Sequence, residues 1–219
     1  MPQLDALRLP PRSGGPADSL VVLLHGYGAD GRDLIDIGEL FAPLLPRAAF
    51  CAPHAPDPCM GAPVGRQWFP ILSHDPHDLS RGAASALPAL EAFIAQELAA
   101  HRMPRSRLVL MGFSQGCMMA LEAGLAGSRP AAILGYSGLW VHAGGREAPR
   151  FEDAPPILLV HGDADEVVPP MALFASAYGL AGAGAAVQWH LTQGLGHGID
   201  EEGLAIGGAF LTRALAAGA

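Results

Sequence analysis

The chain has 219 residues, half of them hydrophobic, which suits one α/β domain with a buried core. Its net charge of −8, without a basic run, makes it a poor candidate for binding nucleic acid or an anionic membrane surface. No apolar run reaches the roughly 18 residues of a membrane helix, and the N-terminus lacks the apolar core of a signal peptide. The three cysteines are too scattered for a disulfide framework or a zinc site. We therefore expect a cytoplasmic protein with no transmembrane segment.

Strand and helix patterns alternate along the sequence. In chain order they predict a strand at 19–24, a helix over 31–45 that Pro43 and Pro46 interrupt, and a strand at 48–51. A Pro-rich segment without periodicity, 53–78, is predicted to be a long loop near the active site. A helix is predicted over 83–98, with Pro88 as a kink or in its first turn. There follow a strand at 107–111, a helix at 115–126, strands at 131–137 and 156–160, a helix at 171–180, a strand at 186–191 and a helix at 199–217.

This alternation predicts one domain over residues 1–219, with 1–18 as an N-terminal lead-in. Because most strands are joined through helices, we expect a mostly parallel, twisted sheet with helices on both faces. Functional sites in such sheets form at the carboxyl ends of the strands. The residues that directly follow each strand are therefore the first place to search for chemistry.

A serine follows the strand predicted at 107–111, and the residues around it form a distinctive pattern. Residues 112–116 read Gly-Phe-Ser-Gln-Gly, so Ser114 is placed between a predicted strand and a predicted helix. This G-x-S-x-G arrangement is typical of the nucleophile elbow, in which a tight turn exposes the hydroxyl above the sheet. The backbone N–H of Gln115, at the positive end of the helix, is suited to bind an oxyanion. A serine that only caps the helix is the alternative, but a cap does not require glycine on both sides.

A serine nucleophile needs a base and a carboxylate that orients the base. Among the nine histidines, His197 follows the last strand in a Gly-His-Gly loop, which predicts that it reaches over the sheet edge. His25 and His161 each precede a glycine and are expected to organise their loops through backbone hydrogen bonds. Asp163, Asp165 and Glu166 follow the strand at 156–160, and the order Ser, Asp, His is that of α/β-hydrolases. Spacing alone does not separate Asp163 from Asp165.

Four blocks together resemble the phospholipase/carboxylesterase family, in its bacterial branch related to acyl-protein thioesterases and lysophospholipases. They are residues 24–30, 112–116, 161–165 and 194–198, and residues 51–56 and 66–69 look like intermediate blocks of the family. The similarity runs in register from about Leu20 to Ile199. Cys117 departs from the small residue common in relatives, and 141–154 match no block. The resemblance implies the α/β-hydrolase fold, and it is carried by several motifs in the right order.

The resemblance also implies residue roles. It makes Ser114 the nucleophile, His197 the base and Asp165, rather than Asp163, the orienting acid. It adds the backbone N–H of Tyr27 to that of Gln115 as the oxyanion hole. The implied reaction is the hydrolysis of carboxylic esters through an acyl-enzyme, without metal or organic cofactor. The family's substrates are esters of short to medium acyl chains, lysophospholipids and S-acylated proteins.

The substrate-binding residues are less defined. Trp68 falls in a family block close to the active site, and further apolar residues follow strands and are expected to line an acyl pocket or else to pack in the core. These are Phe69, Ile71, Leu72, Leu139 and Trp140. The expected partner is a small ester or thioester, and a weak homodimer is compatible with the fold.

Two other classes compete with this interpretation. One is a metal enzyme that uses His74 and His77, against which Pro76 argues by disfavouring a helix. The other is a non-catalytic hydrolase-like binding module, but such proteins usually lose one member of the triad.

Overall fold

The computed structural model describes residues 4–60, 62, 64–126, 129–142 and 149–217. The strands are β1 (Ala6–Leu9), β2 (Ser19–Leu24), β3 (Ala48–Pro53), β4 (Asp57–Pro58), β5 (Arg66–Gln67), β6 (Leu108–Phe113), β7 (Ala132–Tyr136), β8 (Ile157–Gly162) and β9 (Val187–Thr192). The α-helices are α1 (Arg32–Phe41), α2 (Pro76–His101), α3 (Gln115–Leu125), α4 (Met171–Gly182) and α5 (Glu201–Ala217). Within the described ranges, no helix is both long and apolar enough to cross a membrane.

Seven strands form one sheet in the order β1-β3-β2-β6-β7-β8-β9. All neighbours pair in parallel except β1, which pairs antiparallel with β3. The short strands β4 and β5 pair separately. The carboxyl ends of β2, β6, β8 and β9 therefore open toward the same edge of the sheet, where the loops after these strands meet.

Helices cover both faces of the sheet. Helices α2, α3 and α4 pack on one face through residues such as Leu90, Met119 and Leu180, while α1 and α5 cover the other through Phe41 and Phe210. Every residue of β2, β3, β7 and β8 is buried. Burial on both faces explains why these strands read as continuous apolar runs instead of alternating patterns. The predicted α/β-hydrolase architecture is confirmed.

The predicted strands and helices are found within a few residues, but two regions differ. The N-terminal lead-in forms β1, whose four residues are too few for a pattern of alternating apolar and polar residues to predict a strand. The segment 53–78 is not one loop, because it holds β4, β5 and the start of α2. That helix begins at Pro76. Proline is tolerated at the first helical position because an N–H there would have no acceptor within the helix. Asp75 caps the helix by accepting the N–H of His77. Pro88 lies well inside α2 and not in its first turn.

The cysteines are buried and free. Cys51, Cys59 and Cys117 form no disulfide with one another. Burial raises the pKa of the Cys117 thiol to about 12 and raises that of Cys51 as well. Both thiols are thus held in the protonated, unreactive form at neutral pH.

Candidate active site

Ser114 lies in the tight turn between β6 and α3. Its backbone φ of 54° is one that residues with a side chain rarely adopt, and its N–H donates to the carbonyl of Tyr136 at 2.9 Å. A Cβ on Gly116 would lie 1.8 Å from the carbonyl oxygen of Leu24, and a Cβ on Gly112 would lie 2.1 Å from that of Gly116. Only glycine fits at either position. The strand–turn–helix setting expected for a nucleophile elbow is therefore present.

A continuous hydrogen-bonded chain runs from this serine to a carboxylate. His197 Nε2 lies 3.0 Å from Ser114 Oγ, and His197 Nδ1 lies 2.8 Å from Asp165 Oδ2. An ionised carboxylate only accepts, so Nδ1 carries the proton and Nε2 of the neutral ring accepts from the serine hydroxyl. Loops after β6, β8 and β9 supply the three residues.

The carboxylate is held as an anion. Burial alone would raise the pKa of Asp165, but hydrogen bonds from His197 and from the N–H groups of Val168 and Val167 lower it below its ordinary value. The two backbone groups donate to Oδ1 at 2.9 Å each. Asp165 therefore stays ionised at neutral pH beside the imidazole.

The other acidic candidates do not contact the imidazole. Asp163 is exposed and its Oδ1 accepts the N–H of Gly194 at 2.6 Å, at the base of the loop that carries His197. Glu166 is exposed. The choice between Asp163 and Asp165, which spacing left open, is made by side-chain geometry, since Asp165 is the one hydrogen-bonded to His197.

Gln115, the first residue of α3, joins two loops at the serine turn. Its backbone N–H belongs to the first turn of the helix, where N–H groups have no intrahelical acceptor. Its fully buried side chain accepts the N–H of Trp68 at 2.9 Å and donates to the carbonyl of Phe69 at 2.7 Å. The segment after β5 is thereby fixed against the residue that follows Ser114.

The loop after β2 is organised by His25, as its sequence position predicted. Its Nε2 accepts the N–H of Ala55 at 3.0 Å, so Nδ1 carries the proton and donates to the carbonyl of Gly26 at 2.8 Å. Burial lowers the pKa of His25 to about 4, which keeps the ring neutral. The Gly26 carbonyl and the Tyr27 N–H belong to the same peptide, so this bond fixes the plane in which the Tyr27 N–H lies.

A cavity of about 670 Å³ opens beside Ser114 and His197. Its lining includes Gly26 and Tyr27 from the loop after β2, together with apolar side chains from α2, α3 and the loops after β7 and β8. Neither Lys, Arg, Asp nor Glu is among the described residues that line it. The cavity therefore suits an uncharged, largely apolar group.

The structure distributes the six candidate substrate-binding residues unevenly. Leu139 lines the cavity, as does Ile71. Trp68, Phe69 and Trp140 instead lie in the core, each at most 2% exposed, while Leu72 is 81% exposed and outside the lining. Trp68 still supports the site, because its indole N–H donates to the carbonyl of His25 at 3.0 Å.

Leu79 and Met118 are among the residues that line the cavity but were missed by sequence reasoning. Met118 lies four residues after Ser114 on α3, and residues at this spacing share a helix face. That spacing was a usable signal. Leu79 gave none, because the segment before residue 83 was not recognised as helix.

The segment 74–78 is a helix start, which corrects the argument that Pro76 disfavours a helix there. His74 precedes α2 and lines the cavity, while His77 lies in its first turn. In the part of the chain that the structure describes, no three His, Cys, Asp or Glu residues cluster as metal ligands. Of the unmatched stretch 141–154, residues 143–148 lie outside the described ranges.

A parallel sheet with a serine turn after a central strand, and a histidine and an aspartate after later strands, is the arrangement of an α/β-hydrolase. The profile of the phospholipase/carboxylesterase family matches residues 12–215. The chain belongs to the phospholipase/carboxylesterase family and is a carboxylic ester hydrolase.

Individual proteins that are similar to this chain support the same family assignment. Esterase YpfH of Escherichia coli (strain K12) is 31% identical over 195 residues, covering 86% of this chain and 80% of that protein. Acyl-protein thioesterase 1 of Mycosarcoma maydis is 30% identical over 187 residues, with coverage of 77% and 78%. The crystal structure of esterase PE8 superposes with a TM-score of 0.89 at 42% identity, over 97% of this chain and 100% of that chain.

Proposed function

We propose that the protein hydrolyses carboxylic esters of short to medium acyl chains through an acyl-enzyme on Ser114, with His197 as the base and Asp165 as the orienting acid. One observation carries this proposal: the hydrogen-bonded chain of these three side chains ends at an apolar cavity. The reaction needs no metal or organic cofactor.

In the first step, Ser114 Oγ attacks the ester carbonyl while His197 Nε2 takes its proton. The 3.0 Å separation of the two atoms supports this transfer. The ionised Asp165 stabilises the imidazolium that forms, and His197 then gives its proton to the leaving alcohol. In the second step, His197 takes a proton from water, which attacks the acyl carbonyl, and then gives that proton to Ser114 Oγ as the bond to the serine breaks, so that the acid and free Ser114 are released.

The negative charge that develops on the carbonyl oxygen is bound by the backbone N–H groups of Gln115 and Tyr27. Gln115 is suited by its place at the start of α3, and Tyr27 by the peptide plane that His25 fixes. A single donor of this kind is worth about 2.7–4 kcal/mol of transition-state stabilisation. Because only the backbone is used, replacing the Tyr27 side chain by another non-glycine residue should change activity little.

The proposed acyl pocket is formed by Ile71, Leu79, Met118 and Leu139. Each methylene that leaves water for such a surface contributes about 0.8 kcal/mol, so activity should rise with acyl length until the cavity of about 670 Å³ is filled. We expect kcat/KM for p-nitrophenyl esters to increase from acetate through butyrate or octanoate and to fall at palmitate. A series with equal kcat/KM throughout would contradict an acyl pocket.

The nucleophile is tested by labelling with a fluorophosphonate probe, which reacts with activated serines. We expect one labelled peptide containing Ser114, and no label in Ser114→Ala. The matched control is Ser85→Ala, which replaces an exposed serine of α2 and should label like the wild type. Labelling that persists in Ser114→Ala would contradict the assignment.

A second candidate is thioester hydrolysis on the same three residues, which the similarity to acyl-protein thioesterase 1 of Mycosarcoma maydis favours. Lysophospholipid hydrolysis on this site is a further member of the same class. The alternatives are separated by comparing kcat/KM for the octanoyl oxygen ester, the octanoyl thioester and a lysophosphatidylcholine. A thioester preferred over the oxygen ester by more than the difference in their spontaneous hydrolysis would replace the carboxylesterase assignment.

A further inference from the structure

A second histidine contacts the carboxylate of Asp165. His161 Nε2 lies 2.8 Å from the carbonyl oxygen of Val168 and 3.2 Å from Asp165 Oδ2. The carbonyl of Val168 is an acceptor, so Nε2 carries the proton and donates it to Val168, and Asp165 Oδ2 lies beside this N–H without accepting a hydrogen bond from it. The side chains of His161 and Asp165 are 1% and 0% exposed, so water does not replace this contact.

We propose that His161 is a positioning residue, which acts through the carbonyl of Val168 to hold the loop after β8 so that the Asp165 carboxylate keeps the orientation that His197 requires. This inference rests on the proposed function, because it concerns how Asp165 serves His197. It goes beyond that function by giving a role in the reaction to a residue that touches neither substrate nor the reacting atoms.

The hydrogen bonds around Asp165 explain how the positioning works. Oδ1 accepts two backbone N–H groups, from Val167 and Val168, and Oδ2 accepts the N–H of His197. Donors on both oxygens oppose rotation of the carboxylate. His161 lies in β8 and fixes this loop, because its Nε2–H donates to the carbonyl of Val168, whose N–H is one of the donors to Oδ1.

The same proton ties the carboxylate to the wall of the cavity. Val168 lines the cavity, donates its N–H to Asp165 and receives the His161 proton on its carbonyl. Without His161, the carbonyl of Val168 would lose its donor. An unsatisfied group of this kind is costly, and the loop after β8 would move to satisfy it.

Two variants separate this role from simple packing. In His161→Gln the amide nitrogen reaches the position of Nε2 and still donates to the carbonyl of Val168, whereas in His161→Asn the side chain is too short to reach it. For His161→Asn we expect kcat to fall roughly ten- to a hundredfold with little change in KM. His161→Gln should stay close to the wild type in both measurements.

A double-mutant cycle provides the sharper readout. In an Asp165→Asn background, the carboxylate that His161 positions is gone, so adding His161→Asn should lower kcat no further. Equal losses in both backgrounds, or equal behaviour of the Gln and Asn variants, would overturn the proposal. If His161→Asn does not fold, His161→Gln decides the matter: a tenfold loss of kcat at an unchanged melting temperature would overturn the role. Fluorophosphonate labelling of Ser114 in each variant distinguishes this failure from failure of the proposed function itself.

Discussion

Gly116 is the position at which a single substitution should disturb the geometry of the serine turn most. In Gly116→Ala the new Cβ would lie 1.8 Å from the carbonyl oxygen of Leu24 and 2.7 Å from that of His25. Both obstacles are backbone of β2 and its loop, which cannot rotate away like a side chain. Contact distances below 3.0 Å are essentially never seen for Cβ atoms, so α3 must retreat by more than about 1 Å.

Two consequences follow from that retreat. Overpacking of this severity costs about 3 kcal/mol, which for a domain of this size lowers the melting temperature by roughly 6–12 °C. Ser114 moves with α3 relative to His197, and a displacement near 1 Å costs about a hundredfold in kcat. Differential scanning fluorimetry and p-nitrophenyl butyrate hydrolysis measure the two effects.

The matched control is Gly182→Ala at the end of α4, where an added Cβ has no atom within 4 Å. We expect it to keep full activity and the wild-type melting temperature or slightly more, because alanine favours helix over glycine. The reasoning is refuted if Gly116→Ala melts within about 2 °C of the wild type and keeps activity similar to Gly182→Ala.

Three further outcomes are expected. Met118→Ala should move the optimum toward longer p-nitrophenyl esters by about fourfold in kcat/KM per extra methylene accommodated, whereas Met60→Ala, exposed and outside the cavity, should not; an unchanged optimum would contradict the acyl pocket. The folded pKa of His25 is about 4 against 6.5 unfolded, so unfolding free energy should fall by roughly 3 kcal/mol as pH drops from 6.5 to 4. Chemical denaturation of His25→Asn should lack this component, and an identical pH dependence would be evidence against it. Iodoacetamide should neither alkylate the buried Cys117 at pH 7 nor inhibit the enzyme, and rapid alkylation seen by mass spectrometry would contradict its burial.

Elements whose signal is local could be predicted from the sequence. The buried strands of the sheet are short apolar runs, and the helices repeat apolar residues at helical spacing. Each element can therefore be recognised from a window of about ten residues. The serine turn is equally local, because the glycines at 112 and 116 are required by contacts within the turn and with the adjacent strand.

Features that depend on distant contacts could not be predicted in this way. Strand β1 exists because it pairs with β3, and nothing within its four residues reveals that partner. Asp163 and Asp165 lie two residues apart, and only the fold determines which one meets His197. Trp68, Phe69 and Trp140 follow strands as a pocket residue would, but their size lets them reach back into the core. The prediction at Pro76 was wrong because proline disrupts the interior of a helix but is favoured at its first position.

The central claim is that Ser114 is the nucleophile of an ester hydrolase, and the kcat/KM of Ser114→Ala for p-nitrophenyl butyrate tests it most directly. Purified wild type and variant are compared at pH 7.5 with matched melting temperatures, since an alanine in place of one hydroxyl should leave the fold intact. The account predicts a loss greater than about 1,000-fold. Activity within about tenfold of the wild type would contradict it.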